Sequence, residues 1–144
     1  MTTVQQVFDI TMHLMDEQGE STGATMTDDT EEYKYRTVSI LNALIPGLFP
    51  FSDTYGAVNT VSGRPPVALL AAADHAHPDF NQPIPLDDTL AVGVLPYGLA
   101  AHLMATENED LSAWFLSQYN QKFADLRSRI PGSFQPISTP YGLF

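Results

Sequence analysis

The chain has 144 residues, enough for one domain with a single core that needs no covalent staples. It contains no cysteine, which excludes disulfides, thiolate metal sites and thiol nucleophiles together and fits assembly in a reducing compartment. Seventeen acidic residues against six Lys and Arg give a net charge of −11, which repels nucleic-acid phosphates and argues against sequence-reading DNA binding. The same charge suits a wall past which a polyanion must slide without sticking, although most acidic surfaces are simply solubilising.

In chain order, Val4, Val7, Phe8, Ile10, Leu14 and Met15 recur at helical spacing and predict an amphipathic helix over residues 3–15. Residues 1–16 carry two acids and no Lys or Arg, so they are not expected to act as a secretory signal. Residues 18–27 are rich in Gly, Ser and Thr and read as an exposed loop, with Gly19 and Gly23 as helix breakers. Thr27 or Asp28 then caps a second helix, whose start is marked by Asp28, Asp29, Glu31 and Glu32 near the positive end of its dipole. Tyr33, Arg36, Thr37, Ile40, Leu41, Leu44 and Ile45 carry its apolar stripe, and Pro46, Gly47 and Pro50 predict a stop or kink near Ile45.

Residues 51–85 hold too many Pro and Gly for long helices and form a long middle loop, in which residues 67–75 suit two helical turns and residues 55–61 half of a hairpin. Asp87 or Asp88 caps the next helix, which carries Leu90, Val94, Leu95, Leu99, Leu103 and Met104 to about Thr106. Pro96 predicts a kink or a short turn before it. Residues 108–110 turn the chain into a last helix with the stripe Leu111, Trp114, Phe115, Tyr119, Phe123 and Leu126, lying roughly antiparallel to its predecessor and ended by Pro131. Lys122, Arg127 and Arg129 fall towards its negative end. The fold class expected is mainly α: a bundle of about four helices over residues 1–131, with the proline- and glycine-rich middle loop and an extended C-terminal arm over residues 132–144. Phe134, Ile137, Tyr141, Leu143 and Phe144 on that arm suggest docking against a partner, because so short a tail cannot form its own core.

Candidate chemistry is sparse. Asp74, His75, His77 and Asp79 place two imidazoles and two carboxylates together, but no further ligand cluster completes a metal site and an exposed polar loop explains them. His102 has no nucleophile beside it and reads as a boundary residue. Glycine-rich phosphate loops and alternating aromatics and cations are both missing from the sequence, and no run approaches the roughly 20 apolar residues of a bilayer-spanning helix. The expectation is a soluble protein without catalytic residues, metal or cofactor, whose Tyr97, Leu99, Trp114, Phe115 and Tyr119 serve helix packing or a subunit interface.

The segments Leu86 to Leu90, Leu95-Pro96-Tyr97-Gly98-Leu99-Ala100-Ala101-His102-Leu103, Glu107 to Leu111, Trp114-Phe115 and Gln118-Tyr119, with the earlier Tyr33 to Thr37 and Ile40-Leu41-Asn42, resemble a family of phage and prophage head-to-tail adaptor proteins. They span about two thirds of the chain and leave the middle loop unmatched. The resemblance implies a neck (connector) protein of the virion, assembled in the host cytoplasm as a ring, typically a dodecamer, beneath the portal. It implies as partners the portal, a stopper or tail-completion protein, and DNA passing without sequence recognition, with no catalytic residues to carry over. The competing readings are another neck component, a stopper or tail terminator, which would be rich in strands, and an acidic DNA-mimic regulator.

Overall fold

The computed structural model describes residues 1–17, 23–52, 70–71 and 79–128. Within them the chain is mainly helical, and the only β-type pairing is an isolated antiparallel bridge between Thr3 and Pro83. Helix α1 spans Val4–Leu14, α2 Glu31–Leu48, α3 Asp88–Gly93, α4 Leu95–Leu103 and α5 Glu109–Ser128. Because α3 and α4 are one helical run broken at Val94, the expectation of about four helices in a small bundle holds. The expected hairpin over 55–61, the helical turns over 67–75 apart from residues 70–71, the first half of the Gly/Ser/Thr loop (residues 18–22) and the C-terminal arm with Phe134, Ile137, Tyr141, Leu143 and Phe144 lie outside the described residues.

Each helix start has a local cause. Thr3 and Gln6 form a capping box on α1, and the next two N–H groups donate outside the helix, Val4 to the Gln82 carbonyl at 3.1 Å and Gln5 to the Phe80 carbonyl at 2.8 Å. Asp87 caps α3 by accepting from the Leu90 N–H, while its neighbour Asp88 instead accepts from the Thr2 N–H and hydroxyl at 3.0 and 2.7 Å. Asn108 caps α5 through the Leu111 N–H at 3.0 Å. Ahead of α2, residues Asp28–Thr30 make a 3-10 turn, with the buried Thr30 hydroxyl donating to the Thr25 carbonyl at 2.7 Å.

One helix end matches the sequence expectation and another differs. Helix α1 ends at Leu14, within the expected 3–15: Asp16 takes the left-handed conformation (φ 59°), and the N–H groups of Asp16 and Glu17 close back on the His13 and Met12 carbonyls. That is a Schellman closure with Asp in the place usually held by Gly. Helix α2 runs through Pro46 to Leu48 and continues as a 3-10 turn to Phe51. A mid-helix proline costs about 3 kcal/mol. Ile45, Leu48 and Phe49 are almost completely buried beyond and beside it, and at roughly 1.5–3 kcal/mol each they outweigh that cost.

The core centres on α4. Leu95, Pro96, Gly98, Leu99, Ala100, Ala101 and Leu103 are all buried, so this helix is covered on nearly every side, not only along the stripe the sequence suggests. Pro96 sits in its first turn, where a missing N–H costs nothing, and the break at Val94 answers the kink expected before it. Helices α1, α2, α3 and α5 all pack on α4, while α1 and α2 touch each other little. Helix α5 lies antiparallel to α4, since Ser112 bonds the Ala101 carbonyl, Tyr119 lies over Gly98, Lys122 over Tyr97, and Leu126 beside Gly93.

The end of the middle loop is part of this core. Phe80, Ile84 and Leu86 are buried, Phe80 packs on Phe8 with ring centroids 5.1 Å apart, and the Ile84 N–H donates to the Thr2 carbonyl. Asn42 on α2 holds Leu70 through both backbone groups, at 2.8 and 3.0 Å.

At Gly98 two helices close on a third. A methyl group there would lie 3.0 Å from Leu44 Cδ1 and 3.1 Å from the Tyr119 ring. Gly98→Val should therefore lower unfolding stability by about 2 kcal/mol in a denaturant titration, because the added branches meet side chains from both α2 and α5. Unchanged stability would contradict this close approach.

Candidate interaction surfaces

The candidate site residues separate by burial. Leu99 and Phe115 are core residues, 0% and 1% exposed. Tyr97 and Tyr119 are half-buried between α4 and α5, and burial raises the Tyr119 phenol above its ordinary value. Trp114 departs from the expected buried stripe: it is 51% exposed and touches Phe115 only edge-on, with ring centroids 5.1 Å apart. One residue advances a helix by roughly 100°, so Phe115 and Trp114 cannot both face the core. Leu116, on the opposite flank, is 48% exposed.

His102 is exposed on α4 and lies in the last turn of that helix, where a cation suits the dipole. Asp79 is exposed and accepts from the Asn81 N–H, whereas Asp74, His75 and His77 lie outside the described residues. Among the described residues no group of three or more His, Asp or Glu is arranged to hold a metal ion, and no helix is long and apolar enough to cross a membrane. A cleft of about 140 Å³ beside Met26, Asp28, Glu31 and Lys34 falls below the roughly 300 Å³ at which small-molecule pockets begin.

Charge is distributed unevenly. Each Lys and Arg among the described residues sits over an aromatic ring: Lys34 over Tyr35, Arg36 over Tyr33, Lys122 over Tyr97 at 4.8 Å, and Arg127 over Phe51 and Phe123. Such contacts stabilise by about 0.5–1 kcal/mol at exposed sites. The one ion pair among the described residues, Arg36 with Glu32 at 3.7 Å, is solvent-exposed and contributes little.

Acids from three elements converge at the other end of α4. Tyr33, buried on α2, donates its hydroxyl to Glu107 in the turn before α5. Burial first, then this bond and the charges of Glu17, Glu107 and Glu32, raise the Tyr33 phenol far above its usual range, so it remains a donor. Glu17, just past α1, is raised above the ordinary carboxyl value by burial and by repulsion from Glu107, Asp29 and Asp16. The sequence places these acids at separate helix ends, where each looks like a cap or dipole partner; only the fold brings them together.

No protein-family model matches the chain, and neither a curated protein nor a solved structure is detectably similar to it.

A raised Glu17 binds its proton more tightly folded than unfolded. The ionised group thus lowers stability, by nothing below the unfolded value and increasingly as pH rises through the interval between the unfolded and folded values. Glu17→Gln should raise the melting temperature at neutral pH and lose that advantage in acid, where wild-type Glu17 is protonated too. An equal gain at both pH values would show that repulsion is not its source.

Proposed function

We propose that this chain is a structural head-to-tail adaptor of a tailed bacteriophage, located in the neck of the virion, which forms a ring below the portal through which DNA passes. The sequence resemblance described above carries the proposal. The observations that support it in the molecule are the small helical bundle and the excess of acid, a net charge of −11 over the chain. A negative lumen lets a polyanion pass without adhering. On this reading the DNA-facing acids are those at the start of α2, since Asp87 and Asp88 are engaged in capping α3 and holding Thr2.

The partners that follow are further copies of the chain, the portal and a stopper or tail-completion protein. Phe134, Ile137, Tyr141, Leu143 and Phe144 are the residues proposed to grip the portal or a neighbouring copy, and the exposed Trp114 is proposed as a subunit contact. No catalytic role, metal or cofactor belongs to the proposal. The rival neck parts, stopper and tail terminator, are strand-rich and fit a helical bundle less well. The DNA-mimic reading draws on the convergence of Glu17, Asp29 and Glu107, and predicts capture of a nucleic-acid enzyme in place of portal.

Electron cryo-microscopy of particles from a lysogen or infected cell should show the chain as a closed ring between the capsid vertex and the tail tube. Particles with no density for it there would overturn the assignment. Deleting residues 132–144 should leave the helical content of the purified chain intact and abolish neck assembly.

A further inference from the structure

We propose that two copies of this chain pair through α5, antiparallel and related by a two-fold axis. The proposal goes beyond the neck assignment and does not rest on it.

The contact face is set by charge. Copies that each carry −11 repel, so a self-contact requires a surface where acids are absent or matched. Helix α5 supplies one: between Asp110 and Lys122 its outward residues Ala113, Trp114, Leu116, Ser117, Asn120 and Gln121 are all exposed and uncharged. The flank containing Leu116 also carries a seam. Glu109, Ala113, Leu116, Asn120, Phe123 and Arg127 are spaced alternately by four and three residues, the repeat that keeps one line of side chains facing a partner helix. This line is turned by roughly a third of a turn from the core-facing stripe centred on Phe115. All of its members are exposed except Phe123, which is half-buried against Phe51. Asp110 and Asp125 lie on the opposite flank with Trp114 and Gln121, away from the seam.

The seam is complementary to itself when reversed. Set antiparallel about position 118, it places Glu109 opposite Arg127 of the second copy, the small Ala113 opposite the large Phe123, and Leu116 opposite Asn120, with each pairing repeated by symmetry. Acid thus meets base at both ends and small meets large between them. A parallel arrangement would instead set Glu109 against Glu109 and Arg127 against Arg127.

Sedimentation equilibrium on the full chain tests this. The wild type should show a concentration-dependent monomer–dimer equilibrium. Glu109→Arg and Arg127→Glu should each shift it at least tenfold towards monomer, and the double charge swap should restore it. Within one copy the two positions lie roughly 27 Å apart along the helix, so restoration can only act between copies. Leu116→Asp should give a monomer whose circular dichroism matches wild type, which separates loss of pairing from loss of fold. A wild type that stays monomeric at every concentration, or a double swap no better than the single ones, would overturn the proposal.

Discussion

The fold depends on burying α4. A helix apolar around its whole circumference is stable only when other elements cover every side, and Leu95 to Leu103 meet that condition almost completely. Small residues set how closely the cover can approach: Gly98 admits Leu44 and Tyr119 together, and Ala100 and Ala101 are likewise buried. The break at Val94 follows from the same constraint. Pro96 is tolerated at a helix start, so α3 stops and α4 begins anew in the core.

Because α4 takes the centre, the other helices are distributed around it and their outer faces are left to solvent or partners. Helix α1 is held at its N-terminus by the returning loop, with Thr2, Val4 and Gln5 bonded to Asp88, Gln82 and Phe80. Helix α5, with Phe115 as its one fully buried side chain, is the outer layer and presents the longest uninterrupted surface. The acids gather where α1 ends and where α2 and α5 begin, and the described cations are drawn onto aromatic faces.

Much of this was legible in the residues. The amphipathic spacing of Val4, Val7 and Phe8, the cap at Asp87, and the short link between α4 and α5 are local signals, and the helices and their antiparallel pairing follow from them. What local reasoning missed was tertiary. Pro46 looks like a stop because its cost is written in the sequence, while the burial of Ile45, Leu48 and Phe49 that offsets it is not. Phe80 and Ile84 are hidden among prolines and show no period, yet they pack under α1. Thr11, fully buried with its hydroxyl on the Val7 carbonyl, reads as polar surface in the sequence. Trp114 invites a buried reading by its size, although its angle from Phe115 turns it outward. Of the surfaces, the excess of acid was plain, but the meeting of Glu17, Asp29 and Glu107 was not, because it joins three separate helix ends.

The account's central claim is that α4 is the buried hub and α5 the outer helix laid upon it. Native-state hydrogen exchange read residue by residue tests it most directly. The α4 amides should exchange slowest in the molecule, only through global unfolding, while the C-terminal turns of α5 exchange through smaller openings. Amides of α4 exchanging as fast as those at the end of α5 would contradict it.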